Sequence, residues 1–169
     1  AHACLKKQGV SAIEKAAVLL RALDALERDR HRGFESPYYE DPESVAPISV
    51  GTIHGGDWHS TVPEEAVLEG RYGVLPGEST AEARRAFDAA LGRVVQDDPW
   101  LREHPPALEW FEGQFESGAT SADSPVVGVL AKAHETLTGR PAVLRGVTYG
   151  SDLRLFTNHA GVPAVLYGP

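Results

Sequence analysis

Apolar residues recur every three or four positions at Ile13, Ala16, Ala17, Leu20, Leu23 and Leu26, while Glu14, Lys15, Arg21, Glu27 and Arg28 take the other side. That period predicts an amphipathic helix. Ser11 and Glu14 stand at capping-box spacing at its start, each able to satisfy an otherwise orphan backbone N–H. Gly33 is expected to end it, before a loop carrying Pro37 and Pro42. Ala46 to Ile53 reads as a strand and Ala66 to Leu75 as a second, turned off by Pro76-Gly77. Two strands joined through a long loop predict an antiparallel pair. Ser79 and Glu82 repeat the capping spacing ahead of a stripe of Ala83, Ala86, Phe87, Ala90, Leu91 and Val94, and Leu108 to Phe115 reads as a further strand.

The order helix, strand, strand, helix, strand, completed by one strand ahead of Ala1, is a split β-α-β arrangement. It predicts an α+β fold, a ferredoxin-like two-layer sandwich with two helices on one face of an antiparallel sheet, ending near Gly118. Residues 119–169 have another texture. Ser124 and Pro125 suit a helix start. Val127, Leu130, Ala131, His134 and Leu137 form its stripe and Gly139 stops it. A strand over 142–148, a short helix over 151–158 and a strand over 163–167 would complete a short α/β segment belonging to a second domain.

Composition narrows the classes. The chain has 169 residues, 42% apolar and 24% charged, the balance of a folded globular protein. A net charge of −8 argues against nucleic acid or an anionic membrane as partner, because phosphates need a cationic footprint. No apolar run approaches the roughly 18 residues of a membrane span. Cys4 is the only cysteine, so no internal disulfide forms, and a reducing, cytoplasmic setting is the simplest expectation. Methionine is absent, and the first turn and last strand look cut at both ends, so a longer parent protein is expected.

Complete catalytic motifs are missing. His134-Glu135 starts like a helical zinc motif, but Thr138 stands where its second histidine belongs. His54 and His59 flank a Gly-Gly loop with only Asp57 nearby, and with His31, His104 and His159 they read as solvated loop residues. Ser151 lacks a nucleophile elbow, and Cys4 beside His2 is a poor thiol–imidazole pair, since sequence neighbours rarely align for that chemistry.

Four segments nevertheless carry a resemblance. They are Ala1-His2-Ala3 with Gly9-Val10-Ser11-Ala12-Ile13; Gly55-Gly56-Asp57-Trp58 with Ser60-Thr61-Val62-Pro63; Leu68-Glu69-Gly70 with Leu75-Pro76-Gly77-Glu78; and Tyr149-Gly150-Ser151-Asp152-Leu153-Arg154 through Gly161-Val162-Pro163 to Tyr167-Gly168-Pro169. In this order they resemble the zinc-dependent metallopeptidase and deacylase family that includes acetylornithine deacetylase, succinyl-diaminopimelate desuccinylase and carboxypeptidase G. The Gly70 and Glu78 details look most like the acetylornithine deacetylase branch.

The resemblance implies that residues 1–118 are the dimerisation (lid) domain without its first strand, and that 119–169 return into a truncated catalytic domain. It implies a homodimer, a small N-acyl amino acid or peptide substrate, and two zinc ions whose ligands lie outside this chain. It matches His2 to a lid histidine that enters the partner subunit's active site and steadies the carbonyl oxygen; read alone, His2 is a turn-capping residue. It matches Arg154 to a residue pairing with the substrate carboxylate, with Gly150 and Ser151 in the loop presenting it. Ser60 stands where many relatives have Asn. The alternative is a free-standing ferredoxin-like module that dimerises or binds a small ligand without catalysis.

Overall fold

Residues 1–168 are described by the computed structural model, a mixed α+β fold in which two long helices cover one side of an antiparallel strand pair. A 3-10 segment, Ala3–Gln8, leads into α1, Ala12–His31. The Ser11 hydroxyl accepts the Glu14 N–H at 3.3 Å, so one half of the expected capping box forms. The other half does not, because the Glu14 carboxylate turns outward to Lys6. Ala16 and Leu26 are buried on the expected face, whereas Ile13, one turn into the helix, stays exposed.

Strands β1, Ile48–Gly55, and β2, Ala66–Tyr72, pair antiparallel from Ile48↔Tyr72 to Gly55↔Ala66, with the register slipping between Val50 and Thr52. Gly70 sits at that slip. A Cβ there would lie 2.4 Å from the Ser49 carbonyl oxygen, so the close approach of the strands needs the bare backbone. Helix α2, Thr80–Asp97, opens on a complete capping box between Ser79 and Glu82. The short α3, Pro99–Glu103, follows after Asp98, whose carboxylate accepts the Trp100 and Leu101 N–H groups and both contacts from Lys15 of α1. The Lys15 bond first, and the Leu101 N–H second, hold the Asp98 carboxyl below the ordinary range.

Both long helices meet at Tyr72. Its hydroxyl donates to the Ala83 carbonyl of α2 at 2.9 Å, its ring packs on Phe87 and Trp110, and the Arg30 guanidinium of α1 lies 4.4 Å from its centre. Arg30 also donates to the Gly73 carbonyl at 2.9 Å and to Glu78. His31, expected to be a solvated loop residue, is instead buried as the last residue of α1. One ring nitrogen lies 2.8 Å from the Glu27 carbonyl and the other accepts the Ala46 N–H at 3.0 Å, so the ring clips the incoming loop to the helix end.

Beyond residue 103 the chain departs from expectation. Helix α4, Pro125–Thr138, forms and stops at Gly139, whose φ of +69° is the left-handed conformation of a helix C-cap. The strands expected over 108–115, 142–148 and 163–167 are absent among the described residues, where the sheet holds β1 and β2 alone. A strand needs a neighbour for its N–H and C=O ladder. Here the first segment is held instead by the Trp110 ring against Tyr72 and Phe87, the second by Gly146 N–H to the Tyr38 carbonyl, the third by Thr120 to Ala164. The helix expected over 151–158 begins with a turn and continues as a π-helical Leu155–Ala160.

Little of this second part is covered. Val127 is the fully buried apolar residue beyond Leu101 among the described residues, while Leu137 is 85% exposed. The accessible surface is 11909 Å², against roughly 8,100 Å² expected of a compact monomer of this mass. Exposed apolar side chains occur along the whole chain, from Leu5 and Ile53 to Val129, Leu137 and Tyr167.

Tyr72 gives the fold a pH signature. Burial, partly offset by Arg30, pushes its phenol up to about 12. The native state therefore keeps a proton that the unfolded chain releases near pH ~10. The stabilisation is complete below pH ~10 and is lost as pH rises towards 12, the native state binding more protons in that window. Denaturant titrations should show a steeper alkaline loss for the native sequence than for Tyr72→Phe; parallel curves would exclude Tyr72 as the titrating group.

Candidate functional site

Residues 1–3 lie alongside 60–62, and this pairing fixes His2. The Val62 N–H donates to the Ala1 carbonyl at 2.8 Å, the Ala3 N–H to the Ser60 carbonyl at 2.8 Å, and His2 forms an antiparallel bridge with Thr61. The His2 carbonyl accepts the Leu5 N–H at 2.8 Å, and its Nδ1 accepts the Cys4 N–H at 3.2 Å. His2 thus does cap the 3-10 turn, and the cap has a chemical consequence. An Nδ1 that accepts carries no proton, so the neutral ring bears it on Nε2. The side chain is exposed, and no intrachain partner engages Nε2 among the described residues.

Trp58 stands beside it, its ring centre 6.1 Å from that of His2 at an interplanar angle of 78°. The Trp58 carbonyl accepts both the backbone N–H and the hydroxyl of Thr61, at 3.1 and 2.8 Å. The turn carrying Trp58 is therefore bound to the residue that bridges His2. His59 packs on the other edge of the indole, with centres 5.6 Å apart. Ser60 contributes its carbonyl to this frame.

Gly150, Ser151 and Arg154 gather elsewhere, around Phe115. The Arg154 guanidinium lies 4.6 Å from the Phe115 ring centre, and its Nε is buried without a partner. A Cβ on Gly150 would press within 3.2 Å of the same ring. The Ser151 hydroxyl accepts the Leu153 N–H at 3.3 Å and shapes the turn that delivers Arg154. His159 and Asn158 follow in the π-helical turn; His159 pairs with Glu116 at 2.8 Å, and Asn158 donates to Glu116 and to the Ser117 carbonyl. These bonds, Asn158 first, hold the Glu116 carboxyl below its usual range. His159 is exposed, as expected of a solvated residue, but its ring is hydrogen-bonded to Glu116. Phe115 gave no signal in the sequence because it read as the end of a strand, and Glu116 because it followed that strand with no motif around it.

The two groups are not in contact: among the described residues no hydrogen bond, ion pair or ring contact joins His2 to Gly150, Ser151 or Arg154. Nor is any group of three or more His, Cys, Asp or Glu side chains among them placed to hold a metal ion. The zinc pair implied by the resemblance has no ligand set in this part. Among the described residues no helix is long and apolar enough to cross a membrane.

A strand pair under two helices, with a capped histidine at its margin, fits the lid that the resemblance implies, and the comparisons with known proteins agree. The family model of the peptidase dimerisation domain (M20) matches residues 1–99, and the chain belongs to that family. The chain is similar to the N-formyl-4-amino-5-aminomethyl-2-methylpyrimidine deformylase of Halalkalibacterium halodurans, with 32% identity over 99% of this chain and 40% of that protein. It is also similar to the deformylase of the same name from Bacillus subtilis, with 26% identity over 95% of this chain and 39% of that protein. The chain therefore spans about two fifths of the length of these curated relatives.

The capping geometry of His2 is directly measurable. Nitrogen-15 shifts of its ring, taken at a pH where the imidazole is neutral, should report the tautomer with the proton on Nε2. A dominant Nδ1–H tautomer would show that the bond from the Cys4 N–H is not kept in solution.

Proposed function

We propose that this chain is the dimerisation part, with an adjoining portion of the catalytic domain over 119–169, of a longer metal-dependent amidohydrolase that removes a formyl or other small acyl group from an amine. The single observation that carries the reading is the pairing of family membership with the deformylases' similarity along nearly the whole chain. A free-standing dimerisation or ligand-binding module would not need similarity across residues 119–169. Exposed apolar side chains in that segment, among them Val129, Leu137, Val143 and Phe156, support the same reading, since a catalytic domain would cover them.

In this reading the reaction is amide hydrolysis. Water adds to the acyl carbon, the C–N bond breaks, and a carboxylic acid and a free amine leave. His2 presents Nε2–H across a homodimer boundary to the carbonyl oxygen of a substrate held by the partner subunit. A fixed donor aimed where negative charge develops is worth more in the transition state than in the ground state. Two zinc ions would be bound by parts of the protein outside this chain. Arg154, its guanidinium 4.6 Å from the Phe115 ring centre and with an unused buried Nε–H, anchors a hydrogen-bond acceptor on the amine half, either a carboxylate or a ring nitrogen. The acetylornithine deacetylase-like and deformylase readings share this chemistry and differ in the acyl group removed and in the amine released.

In the full-length enzyme, His2→Ala should lower kcat about 10²-fold or more with dimer mass and zinc content unchanged; unaltered turnover removes His2 from the reaction. Arg154→Ala should raise KM about tenfold on an N-formyl amino acid, on the formamide of the aminomethylpyrimidine, or on both. An unchanged KM for both probes would remove Arg154 from substrate binding, and a rise confined to the amino acid would identify a carboxylate as the acceptor.

A further inference from the structure

Trp58 is 54% exposed, an unusual position for an indole on a turn held by three hydrogen-bonded neighbours. His2 and His59 both meet it at steep angles, 78° and 66°, and no ring among the described residues lies parallel against it. With no ring stacked parallel on it and 54% of the residue exposed, the indole offers open surface for stacking. The turn does not move independently of His2: the Trp58 carbonyl takes two bonds from Thr61, and Thr61 bridges His2. Wherever the His2 imidazole is delivered, the indole arrives with it, its ring centre 6.1 Å away.

We propose that Trp58 is a specificity-determining residue, its exposed indole stacking on a planar heteroaromatic ring in the amine half of the substrate whose carbonyl His2 addresses. This rests on the amidohydrolase reading above and goes beyond it by assigning a residue to substrate choice. The separation suits the task. A formamide joined to an aromatic ring through one methylene places the carbonyl oxygen and the ring a few bonds apart, about the spacing between the imidazole and the indole. The pyrimidine in the names of the similar deformylases is a ring of this class. Stacking on an indole does not depend on a particular hydrogen-bond pattern, so it selects planarity and leaves orientation to other groups.

The test uses the full-length enzyme and two probes, the formamide of 4-amino-5-aminomethyl-2-methylpyrimidine and N-formylbutylamine. Trp58→Leu should raise KM for the heteroaromatic probe about tenfold, leave KM for the aliphatic probe within about twofold, and leave kcat largely unchanged for both. Trp58→Phe should recover most of the lost affinity. Equal changes on the two probes, no change on either, or loss of the dimer in Trp58→Leu would overturn the proposal, the last by making Trp58 a subunit contact. The two readings fail separately. If His2→Ala is impaired and Trp58→Leu shows no split, the stacking role alone falls; if His2→Ala is fully active, the delivery of His2 falls first.

Discussion

Arg30 joins three parts of the fold at one side chain: the end of α1, the end of β2 and the turn ahead of α2. Its guanidinium, almost wholly buried on the last turn of α1, lies over Tyr72 at the end of β2, reaches the Gly73 carbonyl just after it, and pairs with Glu78 ahead of α2. Glu78 in turn accepts the Leu75 N–H at 2.9 Å and so fixes the turn. Such a buried pair adds little net stability over apolar residues of equal volume, because desolvation offsets the attraction. Its value lies in geometry. Removing either member strands a charge, so few alternative packings of helix on sheet are open to the chain. The core around it is built of small residues such as Ala16, Ala46, Ala83 and Ala90, which by themselves specify position weakly.

The same helix sets both ends of the module. At its C-terminus His31 clips the loop ahead of β1, and the Glu27 carboxylate receives the Ile48 N–H where that strand begins. At its N-terminus the Ala12 N–H donates to the Pro63 carbonyl at 2.9 Å, beside the pairing of residues 1–3 with 60–62. The turn that holds His2 and Trp58 is therefore braced against α1 rather than hanging as a free tail. That bracing is what a donor acting across a subunit boundary requires, since an imprecisely held group loses much of its effect on a transition state.

The portion after residue 103 follows a different physics. Its helix and turns satisfy their own backbone groups, but its extended segments find single partners rather than ladders, and its apolar side chains remain open. Around Phe115 order is restored locally, because Arg154, Gly150 and the Glu116–His159 pair converge on residues 115–117. The arginine expected from the resemblance to bind substrate thus owes its placement to an aromatic ring and an acidic residue some forty positions earlier in the chain.

Local chemistry in the sequence determined a great deal. The helical stripes from Ile13 to Leu26 and from Ala83 to Val94, the caps at Ser11 and Ser79, the stop at Gly139 and the antiparallel pair, expected over 46–53 and 66–75 and found over 48–55 and 66–72, all follow from periodicity and turn residues, which act over a few neighbours. The motifs around His2 and Gly150 likewise marked the residues that matter to the proposed chemistry. What only the tertiary structure decided depends on residues far apart in sequence. Whether 108–115 becomes a strand turns on a neighbouring strand to pair with, and here Trp110 packs by its ring instead. Whether His31 is solvated or buried turns on the loop that returns to it at Ala46. A strand or a buried imidazole is defined by its partner, and a partner brought in by folding leaves no local mark on the sequence.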